Sequence, residues 1–410
     1  MEATRNWLDN AKIRLGWGRV GNQAISNGAY MTTLNNDVNY VFGDTPVRYP
    51  STIVGNVGNP NLKWETVEDF DFGLDLSFLN SRLNVTFDLF QKTSHDMLYP
   101  KQSLLLLGVP TWQGAITQNI GKMRARGLEL SVNWADQVGE FRYDLGVQLS
   151  AVRNKAIKFT GDGPIWDGGN LLSESIIKNE DGGAISRFFG YETAGIFQNW
   201  EQVYAHTDEH GNMIQPDAQP GDLIFVDQNH DGQLNDKDKK YIGNPYPDFS
   251  LGLNMSFWYK NFDLTANFYG TFGNDIFNLQ RGRYSGASGQ NVYKGTLGAA
   301  WDGAGTSNDI PRLSYTDLNQ NYQRVSDFYV EDGTYFRCKL LTLGYTLPKS
   351  FMKDYTLRFY VSLQNPFTIT KYKGMDPERP FYDGGAIATG LDKSNYPTPR
   401  TYLFGVDFKF

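Results

Sequence analysis

Between Trp64 and Phe78 the side chains settle into strict alternation, with Phe70, Phe72, Leu74, Leu76 and Phe78 on one face and Asp69, Asp71, Gly73, Asp75 and Ser77 on the other. A period of two is the pattern of a strand whose faces meet different surroundings. A slip of one residue would turn the carboxylates towards the apolar side, so the pattern fixes its own register. After a tight turn at Asn80-Ser81, Leu83, Val85, Phe87 and Leu89 alternate with Asn84, Thr86 and Asp88. The two runs make a hairpin with one apolar face.

The unit recurs. Leu128, Leu130, Val132 and Trp134 lead through a turn near 136–139 into Phe141, Tyr143, Leu145, Val147 and Leu149. Phe249, Leu251, Leu253, Met255 and Phe257 turn at Lys260-Asn261 into Phe262, Leu264, Ala266 and Phe268. Leu341, Leu343, Tyr345 and Leu347 turn after Pro348 into Leu357, Phe359, Val361 and Leu363. With Ile13, Leu15 and Trp17 at the start and Tyr402 to Phe410 at the end, roughly ten strands are expected.

Alternation alone also suits a soluble sandwich, which stands as the runner-up. The connections separate the two. Tight turns of about two to six residues alternate with long segments near 21–63, 96–118, 158–246, 276–328 and 370–397, which is the short-turn, long-loop rhythm of an outer-membrane barrel. So many long loops count against a compact soluble domain.

The bulk chemistry agrees. A chain of 410 residues with 40% hydrophobic, 20% charged and 15% aromatic side chains can bury a large structure. The mean hydropathy of −0.47 does not oppose a membrane, because barrel strands spend half their side chains on water. A net charge of −7 argues against nucleic acid as a partner. The single cysteine, Cys338, falls in a strand-like run and reads as a packed small hydrophobe. The residues MEATRNWLDN lack the basic and apolar regions of a secretory signal.

The final run, Thr401 to Phe410, alternates Tyr402, Phe404, Val406, Phe408 and Phe410 and ends on an aromatic residue, which resembles the strand read by the outer-membrane assembly machinery. The phrases Ile13-Arg-Leu-Gly-Trp-Gly-Arg-Val-Gly-Asn-Gln23, Asn59-Pro-Asn-Leu-Lys-Trp-Glu65, Gly190-Tyr-Glu-Thr-Ala-Gly-Ile-Phe-Gln198 and Val330-Glu-Asp-Gly-Thr-Tyr-Phe-Arg337 resemble the SusC/RagA branch of the TonB-dependent transporters. So do Leu343-Gly-Tyr-Thr-Leu-Pro348, Gln364-Asn-Pro-Phe-Thr-Ile-Thr-Lys-Tyr-Lys-Gly374 and Tyr396-Pro-Thr-Pro-Arg400, in order along nearly the whole chain.

The resemblance implies an antiparallel transmembrane β-barrel of about 22 strands, of which residues 1–410 supply about the last ten. It further implies import of oligosaccharides or peptides across the outer membrane of Bacteroidetes-type bacteria, a SusD-like lipoprotein over the extracellular mouth, and energy from the TonB complex. The plug domain, the TonB-binding segment and the N-terminal barrel strands have no counterpart in this sequence. The chain is therefore expected to be a fragment whose two edge strands find partners in a parent protein, because unpaired edges are not tolerated in lipid.

The sharpest local motif is Asp227-Gln-Asn-His-Asp-Gly-Gln-Leu-Asn-Asp-Lys-Asp238, inside the long segment 158–246. It fits the calcium loop D-x-[DN]-x-[DN]-G with an acidic residue at the twelfth position. Asp227, Asn229 and Asp231 would give side-chain oxygens, Gln233 a main-chain carbonyl, Asn235 a direct or water-mediated contact and Asp238 the closing carboxylate. Gly232 permits the bend and Leu234 can anchor the loop. Asp238 stands where Glu is usual, so its shorter arm weakens bidentate closure; the alternative is a solvated Asx-rich turn. Flanking Pro220-Gly-Asp222 and Ile242-Gly-Asn-Pro245 also match the family, in which this loop is extracellular, and the expected job of calcium is to stiffen it.

Other chemistry is sparse. His206 and His210, beside Asp208 and Glu209, fit either a metal pair on a helix or a polar loop, the loop being the more ordinary outcome. His95 and His230 have no catalytic companions, and no nucleophile elbow, H-E-x-x-H or phosphate loop occurs, so no enzyme is expected. The run Leu104–Leu107 is too short to span a membrane and is expected to pack on the barrel or a partner. Trp112, Trp166, Trp200, Tyr204, Tyr284 and Trp301 are aromatic residues of the long loops, open to sugar stacking, peptide capture or simple packing. Asp69, Asp71, Asp75 and Asp144 read as solvated barrel lining rather than as an acid–base pair. Besides energised uptake, a passive porin and an outer-membrane hydrolase remain as competing functions; no motif names the substrate.

Overall fold

The computed structural model describes residues 7–22, 25, 27–44, 46–102, 115–159, 165–166, 170–171, 174–285, 291–351, 354–378 and 389–410. Ten long strands carry the sequence pattern: β1 (Leu8–Asn22), β2 (Glu65–Phe78), β3 (Leu83–Gln102), β4 (Ala115–Val138), β5 (Phe141–Lys158), β6 (Phe249–Tyr259), β7 (Phe262–Phe272), β8 (Tyr335–Thr346), β9 (Thr356–Gln364) and β10 (Thr401–Lys409). Each pairs antiparallel with the next, so the chain lays down one meandering wall; a short strand, Thr368–Thr370, adds an eleventh member beside β8.

The expected registers hold. Phe72 sits between Leu15 on β1 and Leu89 on β3, and Asp75 between Lys12 and Thr86, so apolar and polar rows run unbroken across the strands. Two expectations change. Strands β3 and β4 extend through much of the segment near 96–118, of which 103–114, with Leu104–Leu107 and Trp112, lie outside the described residues. The connection from β8 to β9 spans 347–355 and is longer than the tight turns expected; Leu347 still donates to Leu357, but Pro348 has no N–H with which to extend the ladder.

The apolar face decides between membrane wall and sandwich. Leu343, on a strand with neighbours on both sides, is 52% exposed, and Phe359 is 46% exposed. A sandwich would have buried both against a second sheet. Aromatic residues gather at the tight-turn end of this face, where Trp7 stacks on Phe78, Phe141 on Phe257 and Tyr355 on Phe408, and Phe262 packs at a tilt against Tyr345. Phe249 stacks on Phe272 at the opposite end. Two aromatic rims around an aliphatic band is the arrangement a bilayer selects.

The polar face carries ion pairs that no short-range pattern announces. Arg14 on β1 reaches Asp75 at 3.0 Å, Asp88 at 2.7 Å and Asp71 at 3.9 Å. Gly73 makes the slot for it, since a Cβ there would lie 2.5 Å from the guanidinium carbon. Gly344 serves Arg358 in the same way, where the guanidinium bridges Asp263 at 2.6 Å and Asp407 at 2.9 Å.

The hydrophobic core lies outside the wall. Ile176, Ile177, Phe188, Phe225, Phe277, Val325, Tyr329 and Leu391 are fully buried together, and they come from three long connections. Small sheets tie these connections into one cap: Phe188–Gly190 pairs with Lys240–Gly243, Thr193–Ile196 with Leu223–Phe225, and Asp275–Asn278 with both Val330–Asp332 and Leu391–Asp392. Cys338 is buried at the root of β8, as its setting in the sequence suggested.

Phe72→Lys, near the middle of the apolar band, should destabilise the full-length protein by roughly 2–4 kcal/mol, whereas Ser131→Lys on the polar face should cost little. Denaturant unfolding in bilayers measures both; equal effects would show the faces to be wrongly assigned.

Candidate cation and ligand site in the loop cap

The segment 227–238 is held at both ends. Phe225 belongs to the sheet with Thr193–Ile196, and Lys240 to the sheet with Phe188–Gly190. Leu234 packs on the cap core, which anchors the middle. Inside the loop the polar atoms bond in sequence order. Asp227 Oδ2 accepts from Gly232 N at 2.8 Å, Asn229 Oδ1 from Asp231 N at 3.1 Å, and Asp231 Oδ1 from Gln233 N at 3.0 Å. Asn235 caps a single 3-10 turn, Asp236–Asp238, and the wholly buried Asp238 carboxylate accepts from Gln228 N and Asn235 N.

Gly232 has φ +80°, and a Cβ there would lie 2.8 Å from the Asp208 Cβ, so both the bend and the neighbouring turn require glycine. Asp227 is only 6% exposed, and its Oδ1 is buried without a hydrogen-bond partner. An orphaned carboxylate oxygen in a buried setting costs free energy unless something positive meets it. Among the described residues no three acidic, histidine or cysteine side chains converge as a metal cluster. A cation here would have to draw on amide and main-chain oxygens as well as carboxylates, which is the mixed oxygen set calcium accepts.

A cavity of about 730 Å³ lies nearby, lined by Phe197, Gln202, His206, Ile224, Thr306 and Asn308 among others. One wall is the short helix α1 (Trp200–Ala205), whose start is fixed by the Asn199 side chain accepting from Gln202 N. Gln198 holds the opposite wall: it donates to Ile196 O and Ser307 O and accepts from Trp301 Nε1 and Gly305 N. Burial pushes the His206 imidazole below its usual pKa, and its Nε2 is buried without a partner. Trp200 and Tyr204, one turn apart, stack at 5.6 Å while remaining largely exposed.

The candidate residues of the sequence thus separate. Asp227, Asn229, Asp231, Gln233, Asn235 and Asp238 fall in one compact turn. His206 packs edge-on to Phe197 while His210 is exposed beside Glu209, so the two histidines do not converge. Trp301 is committed to packing by its bond to Gln198. The side chains of Trp166 and Tyr284 lie outside the described residues.

The polar framework of the cap escaped sequence reasoning. Asp222, wholly buried, accepts from Arg312 Nε at 2.7 Å, Asn321 Nδ2 at 2.9 Å and Gln219 N at 2.9 Å. Arg337 holds Asp376 at 2.6 Å and Glu378 at 2.6 Å. Burial alone would raise the Asp376 carboxyl, but Arg337 and Thr398 outweigh it and hold its pKa at about 2. These pairs join residues some 40 to 90 positions apart, and the only local hint was the Pro220-Gly-Asp222 phrase.

Residues 4–175 match the family described as TonB dependent receptor-like, beta-barrel. The chain is similar to TonB-dependent receptor P3 of Formosa agariphila, 32% identical over 99% of this chain and 40% of that protein. It is also similar to TonB-dependent receptor SusC of Bacteroides thetaiotaomicron, 30% identical over 99% of this chain and 38% of that protein. Among solved structures, the RagAB peptide transporter shares the fold with a TM-score of 0.75 at 23% identity, over 98% of this chain and 41% of that chain. The chain spans about two fifths of the length of these relatives.

Asp222→Ala should loosen the cap by about 1–3 kcal/mol, because it leaves the partly buried Arg312 and the Asn321 and Gln219 donors without their shared acceptor. Faster proteolysis within 158–246, with the wall strands still protected, is the expected readout. For Asp376 the folded pKa lies below the ordinary 3.8, so its contribution is present above that value and is lost as pH falls towards about 2. Asp376→Asn should remove that acid step from a pH titration of cap opening.

Proposed function

The chain carries part of a TonB-dependent receptor β-barrel domain of the bacterial outer membrane, and from that premise we propose that its parent protein imports oligosaccharides or peptides with energy from the TonB complex. A SusD-like surface lipoprotein would share the capture of substrate. The observation that carries the reading is the cap itself: three long loops with a common core and a charged framework, standing on a wall that is apolar outside and polar inside. A surface already ordered in this way loses less entropy on capturing a ligand, which suits a receptor that first binds its cargo.

Calcium is proposed as a structural ion of the cap. Asp227, Asn229, Asp231 and Asp238, with the Gln233 carbonyl and Asn235, would hold it, and the ion would supply the positive charge that Asp227 Oδ1 lacks. Its effect would pass to α1, because Asp208, which follows that helix, packs on Gly232. The exposed Trp200–Tyr204 stack beside the cavity is the proposed contact for a sugar ring or a peptide side chain.

Cells expressing the full-length parent should accumulate labelled oligosaccharide or peptide only when TonB is present; equal uptake without TonB would support the porin reading instead. In a separate measurement, calcium at about 100 times its Kd should stabilise the full-length protein by about 2.7 kcal/mol. Asp227→Ala combined with Asp231→Ala should abolish that gain, and unchanged stabilisation would falsify the metal assignment.

A further inference from the structure

The outward face of the wall is not apolar to its upper end. On β4 the alternation places Arg126 and Arg124 on the same face as Leu128, Leu130, Val132 and Trp134, with continuous register as far as Arg124. On β5 it places Arg153 and Lys155 on the face of Leu145, Leu149 and Ala151. Arg126 lies directly opposite Arg153, and Arg124 directly opposite Lys155, so four cations form a square. Past Met123 opposite Ala156, and beyond a register shift, Lys122 pairs with Lys158.

Like charges facing each other across strands destabilise a sheet. Little on the protein relieves this square. Arg126 Nε bonds the neutral Gln91, and Arg153 is met by Asp248 and by the carbonyls of Pro247 and Asp248. Arg124 and Lys155 make no ion pair among the described residues, and Arg124 Nε is buried without a partner. Glu68 lies on the same face, across Thr93, but its carboxylate is taken by Trp17 Nε1 and His95. These are the opposite conditions to the polar face, where Arg14 and Arg358 each find two or more carboxylates.

Position supplies the ligand. A tilted strand crosses the hydrocarbon in about 9–11 residues. Arg124 is ten residues from Trp134, which shares a cross-strand row with Phe78 of the tight-turn rim through Leu83, so it stands at the far boundary of the apolar band, where lipid headgroups begin. We propose that Arg124, Arg126, Arg153 and Lys155 form a docking surface for the phosphate groups of an anionic glycolipid in the outer leaflet. Guanidinium forks match phosphate oxygens in pairs, and the stems of these side chains can lie along the lipid while their heads reach the interface. A bound phosphate would neutralise the square and fasten the wall beside the root of the segment 158–246.

The inference rests on the outer-membrane placement of the wall. The test uses full-length protein and the double variant Arg124→Gln, Lys155→Gln, with native mass spectrometry of bound bisphosphorylated lipid A, dephosphorylated lipid A and inorganic phosphate. Each interfacial cation contributes about 1 kcal/mol, so the variant should hold bisphosphorylated lipid A about 10–30-fold more weakly. The wild type should discriminate against the dephosphorylated lipid, and inorganic phosphate should fail to displace the lipid. Equal retention by variant and wild type, or equal retention of the two lipids, would overturn the docking surface alone, as would displacement by inorganic phosphate. Failure of the wild type to insert into vesicles would overturn the placement, and the surface with it.

Discussion

Every part of this molecule depends on one constraint: each wall strand has two sides, and the bilayer accepts only one of them. The backbone meets its own hydrogen-bonding needs by pairing each strand with the next, which is the only way for a sheet to stand in hydrocarbon. Once that is settled, side-chain choice reduces to parity. A residue of one parity must be apolar across the band, and a residue of the other is free to be charged.

That constraint explains what the sequence disclosed. All ten wall strands were visible, because parity is a local property that ten consecutive residues suffice to state. The turn at Asn80-Ser81 was equally legible, and both residues adopt the left-handed backbone such turns require. The segment 227–238 could be recognised because its bonds run between residues only two to five apart along most of its length. The cap was not legible for the converse reason. Its ties reach from Thr193 to Asp327, from Glu174 to Val325 and from Asp222 to Arg312, and no window of sequence contains both ends. Even the role of Trp301 depended on Gln198, a residue from another loop.

Wall and cap also differ in what stabilises them. The wall draws little from a buried core, since lipid rather than protein covers its apolar side. The cap is a conventional folded unit in miniature, with stacked and edge-on aromatics such as Phe277–Tyr329 and Phe188–Phe277 at its centre. Several of its polar groups are buried as well, and pairs such as Asp222–Arg312 match them over long sequence distances. Rigidity follows, and it suits the proposed role: a surface already in shape loses less entropy on meeting a ligand. The segment 227–238 belongs to this economy, linking two of the small sheets that hold the cap together.

Arginine shows how far location decides meaning. Arg14 and Arg358 face water inside the wall, yet each is surrounded by carboxylates and sits over a glycine that admits its head group. They are structural cross-links between strands, and their charge is spent within the protein. Arg124 faces outward, opposite Lys155, with no carboxylate at hand among the described residues. Parity put it there, on a face that the band beneath reserves for hydrocarbon. A cation retained at the upper limit of an apolar face, and paired with another cation, calls for a counter-charge, which the proposed lipid phosphate would supply. Since the same strand carries Leu128 and Leu130 immediately below, that phosphate would lie where hydrocarbon gives way to headgroups.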